Sequence, residues 1–368
     1  MLLPDRRYFR SFDWASFYIT FLLAIIGLIF IFSATYKPEQ PCSIFFKKQA
    51  AGLVFGFFIY WLFCLIDHRH LLRWGYFAYF GVIALLLFTM LKGVVGMGAQ
   101  RWVDLFFFRL QTSELTKLLF PAFATYYFFT QSDNPTFKFK DYVPVLGILA
   151  VSFVLILKQP DLGTALILLF SGLVMLWLAG LANKYFIIGA LIATMCAPLA
   201  WCLLKPYQRQ RILVFMGEGD ARKERYQIEQ SKIAVGSGGL TGRGYLRGTQ
   251  NKFLFLPESR TDFIFSVVSE EVGFIGAMLV LLLYAILFLR MFAIIRTVQA
   301  PFVQLLAMGL AIPIAIAAIV NIGMVLGLLP IVGIPLPLMS YGLSNLWITL
   351  ASLGWINGIT WQLFYQKS

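Results

Sequence analysis

The sequence predicts an all-α polytopic membrane protein of about ten transmembrane helices, with a long extracytoplasmic loop between spans 7 and 8. Three observations carry that expectation. Hydrophobic residues make up 60% of the 368-residue chain and charged residues only 13%, with a mean hydropathy of +0.80, whereas soluble domains sit near ~45–50% apolar and ~25% charged. Apolar runs long enough to cross a bilayer, about 20 residues each, recur through most of the chain. One polar connection, 205–262, is far longer than the others. A single membrane domain, 1–368, is therefore expected.

The first run, 14–34, is long enough to span, and no small-residue cleavage site closes it, so it is read as a retained crossing and not a signal peptide. The following runs are 49–66, 71–91, 111–130, 142–157, 164–182 and 185–204, and after the long loop come 263–289, 302–329 and 340–362. An even number of crossings puts both termini on one side. Short loops on that side carry eleven Lys and Arg, among them Arg6, Arg7, Arg10, Arg69 and Lys367, against seven on the other side, among them Lys37, Arg101 and Lys158. The positive-inside rule then places both termini in the cytoplasm. The 30 glycines, spread through the apolar runs, suit close helix packing in lipid. Cys42, Cys64, Cys196 and Cys202 have no metal-ligand spacing and read as structural thiols.

The net charge of +13 points to an anionic partner. With this hydropathy, membrane lipid or a lipid-linked anion is expected and nucleic acid is not. The long loop holds 11 of the 30 basic residues and six acidic ones, a net +5. Its centre, Gly236 to Gly248, has six glycines in thirteen residues. The preceding stretch, ARKERYQIEQSKIAV, reads as an amphipathic helix lying on the membrane and leading into a flexible glycine-rich turn.

Charges within or at the mouth of a span are expensive and tend to face a cavity or a partner. In LQTSELTK, Glu114 and Lys117 share a helix face at i, i+3, either lining an internal cavity or forming a static pair. In KQPDLGTA, Lys158, Gln159 and Asp161 flank Pro160 between two closely spaced spans. That segment is either a broken, re-entrant backbone or a short surface loop. In LPESRTDFIFSVVSEEVGFIG, Asp262 lies where a carboxylate could cap the following helix or take a proton from an attacking sugar hydroxyl. Glu270 and Glu271, two turns deeper, mark a second polar spot that needs partners. His68 and His70 lack a third ligand and are not read as a metal site. The glycine string does not sit in a strand–helix context and is no dinucleotide fingerprint. Phe106, Phe107 and Phe108 fit an interfacial aromatic belt.

Five segments, QTSELTK (111–117), KQPDLGTA (158–165), YQIEQSKIAVGSGGLTGRG (226–244), LPESRTDFIFSVVSEEVGFIG (256–276) and NIGMVLGLLPIVGIPLPLMSYG (321–342), together resemble the SEDS family of shape, elongation, division and sporulation proteins. The resemblance covers nearly the whole chain and is greatest to the RodA members. It implies a peptidoglycan glycosyltransferase of the bacterial cytoplasmic membrane that polymerises lipid II during elongation and shape maintenance. The family's essential aspartate falls on Asp262, and its cavity-facing Glu and Lys fall on Glu114 and Lys117. Thr116, Ser259 and Arg260 depart from the common pattern without touching these roles.

The resemblance implies that the 4-hydroxyl of the acceptor N-acetylglucosamine attacks the anomeric carbon of the donor N-acetylmuramic acid, with Asp262 as general base. Charge developing on the undecaprenyl diphosphate needs compensation. Candidates are Lys117 and the loop residues Arg209, Arg211, Lys232 and Arg243, with Gln159 and Asp161 as further substrate-binding candidates and a divalent cation, Mg²⁺ or another, as an optional counter-charge. A class B penicillin-binding protein, the cross-linking transpeptidase, and the elongation machinery are the implied partners. A lipid II flippase and a non-catalytic scaffold for the transpeptidase are the competing readings.

Overall fold

The structure is a computed structural model that describes residues 12–96, 99–104, 108–131, 137–204, 206–218, 224–252 and 255–365. The N-terminal arginines and Lys367, used above for orientation, and Phe106 and Phe107 of the expected belt lie outside the described residues.

In chain order, α1 (Trp14–Thr35), α2 (Ile44–Leu65) and α3 (His68–Lys92) lead into a small sheet, β1 (Val94–Gly96), β2 (Ala99–Asp104) and β3 (Arg109–Gln111). Then follow α4 (Thr112–Thr130), α5 (Phe139–Lys158), α6 (Leu162–Leu178) and α7 (Asn183–Leu203). The long connection contributes α8 (Pro206–Phe215), α9 (Glu224–Ser237) and a single turn, α10 (Thr249–Lys252), before α11 (Ile264–Thr297), α12 (Pro301–Val325) and α13 (Leu343–Tyr365). Helix starts follow local chemistry: Ser43 accepts from Phe46 N at 3.2 Å to open α2, and Asp67 accepts from Arg69 N at 2.8 Å to open α3.

Each of the ten expected apolar runs is helical, and α1, α2, α3, α5, α11 and α12 have the length and hydropathy of membrane crossings. The outer surface agrees with a lipid solvent. On α7 the residues Ile187, Leu191, Ile192, Met195 and Leu199 are exposed, Met195 to 82%, far more contiguous apolar surface than water tolerates.

Two expectations are corrected. The chain is not wholly helical: β1, β2 and β3 form an antiparallel sheet, with Val94 opposite Trp102 and Val103 opposite Leu110. A connection packed over the bundle end must satisfy its backbone groups, and pairing with itself does so. Nor is the stretch before the glycines a helix detached from the bundle. In α9, Ala234 and Ser231 are fully buried, and the Ser231 hydroxyl reaches Ser266 Oγ and Val325 O at 2.8 Å each, so α9 docks on α11 and the end of α12.

Helices α2 and α13 pack closely through glycines on both surfaces. A Cβ on Gly354 would stand 2.2 Å from Tyr60 O, and one on Gly358 2.6 Å from Cys64 O. Reciprocally, Gly52 and Gly56 of α2 receive Leu343, Trp347 and Leu350. These i, i+4 glycines bring backbones together where lipid gives no hydrophobic drive for association. Gly354→Leu is therefore expected to lower the melting temperature in detergent by about 5 °C or more through overpacking, whereas Gly81→Ala, at a position with open space around it, should leave it unchanged.

Candidate functional site

At one end of the bundle the turn 258–263 delivers the chain into α11. Glu258, with φ +53°, offers its carbonyl to the N–H groups of Thr261, Asp262 and Phe263 at 3.1, 3.2 and 3.4 Å. Three successive carbonyls are then gripped from outside the turn. Tyr341 N donates to Arg260 O at 2.9 Å, Ser340 Oγ to Thr261 O at 2.5 Å, and Asn321 Nδ2 to Asp262 O at 2.8 Å. The same Asn321 amide donates to Ile334 O at 2.7 Å, which ties the turn to the segment 326–342.

Fixing the main chain leaves the Asp262 carboxyl free of structural duty. Phe263 occupies the N-cap of α11, and no side chain caps that first turn, so capping is not what Asp262 does. Its carboxyl is half-buried and faces Gly333, where a Cβ would come within 3.4 Å of Oδ2. Burial first, and then the negative charge of Glu258, push it up to about 6, against the opposing pull of Arg211 and Arg101 and a hydrogen bond from Thr261. A carboxylate whose pKa approaches neutrality is well matched to accept a proton.

Asp161 shares Arg101 with this group and is spoken for. It accepts from Gln111 Nε2 at 2.7 Å, Ser113 Oγ at 2.8 Å and Thr164 N at 3.3 Å, capping α6. Arg101 Nη1 stands 3.7 Å from its Oδ1, so the β2 arginine lies in the fields of both Asp161 and Asp262. The turn preceding α6 is buried and is not a surface loop: Gln159 is 1% exposed and donates to Leu86 O at 2.8 Å.

Glu114 and Lys117 pair at 2.6 Å near the start of α4, both buried. Lys117 also lines a small cavity with Pro313, Pro337, Asn345, Thr349 and Ser352. Of the loop cations, Arg211 lies close enough to bear on Asp262, whereas the contacts of the other three lie elsewhere. Arg209 donates to Cys202 O at 2.6 Å and closes the end of α7. Lys232 lays its stem along Gly327. Arg243 donates to Thr249 Oγ1 at 2.8 Å and Ser237 O at 3.3 Å.

Sequence reasoning missed Arg101, Gln111, Ser113 and Asn321. Only Asn321, a lone amide in an apolar run, carried a signal of its own. Among the described residues no three His, Cys, Asp or Glu side chains converge as a metal site.

The Cell cycle protein family model for FtsW, RodA and SpoVE matches residues 13–363. The peptidoglycan glycosyltransferase MrdB of Escherichia coli strain K12 is 36% identical over 343 residues, 92% of either chain. Among solved structures, one described as structural coordination of polymerization and crosslinking by a peptidoglycan synthase complex superposes with a TM-score of 0.80 at 30% identity, over 96% of this chain and 99% of that one. The rod shape determining protein RodA of Thermus thermophilus superposes with a TM-score of 0.71 at 26% identity, over 95% of this chain and 96% of the other.

If the ionised Asp262 is the working form, the rate should rise as pH climbs through about 6 and level off above it. Removing the positive field of Arg101 stabilises the protonated form, so Arg101→Gln should move that midpoint to higher pH by roughly half a unit or more. A pH–rate profile of both proteins reads this directly.

Proposed function

This chain belongs to the family of FtsW, RodA and SpoVE, and from that premise we propose that Asp262 is the general base of its polymerising reaction. The chain is a multi-pass membrane protein and a peptidoglycan glycosyltransferase of cell elongation. The finer reading takes lipid II as both donor and acceptor. The 4-hydroxyl oxygen of the acceptor sugar forms a bond to the anomeric carbon of the donor while its proton passes to the Asp262 carboxylate. The bond from that carbon to the diphosphate breaks, and the lipid diphosphate leaves with the electron pair, inverting the anomeric centre.

One observation carries this reading. Asp262 has a main chain held from three sides and a carboxyl that holds no structural post, beside two arginines at the mouth of the bundle. Arg211 and Arg101 are placed to offset charge on the diphosphate oxygens, which revises the roles expected of Arg209, Lys232 and Arg243. Lys117 lines the neighbouring cavity and is held there by Glu114, and the pair shapes a path for the lipid-linked sugar without reacting. A divalent ion arriving with the diphosphate would add to the same counter-charge.

The membrane arrangement follows. The ten helices cross the bacterial inner membrane with both termini in the cytoplasm, and the long connection between α7 and α11 lies on the outer face with Asp262. The structural likeness to a chain from a complex that coordinates polymerization with crosslinking supports a class B penicillin-binding protein as partner and the elongation machinery as context.

Purified in detergent, where sidedness is abolished, the wild-type protein with its transpeptidase partner is expected to convert lipid II into glycan strands. Asp262→Asn, folded to the same melting temperature, should be slower by about 10² or more. Polymerisation by Asp262→Asn at the wild-type rate would sink the assignment, and absence of polymer from the wild type would favour a flippase.

A further inference from the structure

The long helix α11 is broken at Gly273, whose φ of 74° and ψ of −163° lie outside helical space. In an unbroken helix Phe274 N and Ile275 N would bond the carbonyls of Glu270 and Glu271. All four groups are instead taken by the glycine-rich loop. Arg243 N and Gly244 N donate to Glu270 O and Glu271 O at 3.0 and 2.9 Å, while Phe274 N and Ile275 N donate to Gly239 O and Leu240 O at 2.8 and 3.2 Å. The loop is spliced into the helix ladder at the point where it opens.

Side chains lock the splice. Glu270 Oε1 accepts Thr249 N at 2.7 Å, Thr249 Oγ1 at 2.9 Å and Gln250 N at 3.1 Å. Glu271 accepts from Ser33 Oγ on α1 and from the backbone of Leu246 and Gly248. The approach leaves no room for side chains on the loop, since a Cβ on Gly238 would lie 1.9 Å from Ser269 O and one on Gly242 2.2 Å from Glu271 O. This stretch is a rigid insert, not the flexible turn its composition suggests.

We propose that Glu270 and Glu271 are positioning residues for the transferase reaction: through residues 238–250 they hold the outer segment of α11, and with it Asp262, as a piece set independently of the rest of that helix. The inference rests on the reading of Asp262 as the reacting carboxylate. Two supports flank this segment. On one side stand the spliced loop and α9, through Ser231 and Ser266; on the other stand Asn321 and Ser340, which hold the Asp262 turn. Losing the carboxylate of Glu270 orphans three donors at once and frees the first support. The reacting oxygen then drifts, which costs rate steeply with distance.

The experiment uses full-length protein with its transpeptidase partner, lipid II as substrate, and the variants Glu270→Ala, Glu270→Gln, Gly242→Ala and Asp262→Asn. Glu270→Ala and Gly242→Ala are expected to lower kcat by about tenfold or more with KM within about threefold, and to speed amide hydrogen exchange in 262–272 as well as in 238–250. Glu270→Gln, which keeps an acceptor oxygen, should recover most of the rate. Faster exchange confined to 238–250 with kcat unchanged would overturn the proposal, as would a rise in KM alone, which would make the loop a substrate contact. Full activity in Asp262→Asn would overturn the catalytic reading only, because exchange at 262–272 in Glu270→Ala still decides whether the clamp exists.

Discussion

Inside a lipid-embedded bundle every N–H and C=O released from a helix must find another partner, because no water is at hand to take it. The described structure leaves helical geometry at three buried places, and each is closed by a dedicated polar group. Gln159 and Asp161 close the turn between α5 and α6. The glycine loop fills the gap at Gly273. Asn321, Tyr284 and Ser340 hold the segment 326–342, with Tyr284 Oη donating to Pro337 O and Ser340 Oγ accepting from Leu336 N at 2.8 Å. These closures account for Gln159, Asp161, Asn321 and Ser340, polar side chains buried within an apolar chain.

The same closures define the site. Asp262 sits in the turn that Asn321 and Ser340 hold, so its backbone has little freedom while its carboxyl keeps a choice of protonation state. Its neighbours oppose one another: burial and Glu258 favour the neutral acid, and Arg211 and Arg101 favour the anion. The result lies near physiological pH, where a group can both take and release a proton. Arg101 also stands 3.7 Å from Asp161, which itself holds Gln111 and Ser113 at the entry to α4. The pair Glu114 and Lys117 begins at the next residue of that helix. A chain of polar contacts thus runs from Arg101 through Asp161 to the start of α4.

Much of this site was visible before the fold was known. Asp262, Glu114, Lys117 and Asp161 are charges at the ends of apolar runs, and such charges are too costly in lipid to be incidental. The loop cations were harder to assign. Arg209, Lys232 and Arg243 share composition and neighbourhood with Arg211, yet Arg209 closes a helix end and Arg243 braces a turn. Arg101 looked like an ordinary loop cation, because what distinguishes it is the antiparallel pairing that carries it over the groove. Gln111 and Ser113 became partners of Asp161 only because α4 and α6 start side by side.

From the amino-acid sequence alone one can read that the chain lives in lipid, where its helices run, and which charges need an explanation, because burial cost and helix length are properties of a residue and its near neighbours. The tertiary structure alone decided which of those charges meet. Glycine content announced a pliant turn, whereas in the folded protein the same glycines are what let residues 238–244 press against an opened helix tens of positions away. Small side chains permit either outcome, and only the presence of an unsatisfied backbone within reach selects the rigid one.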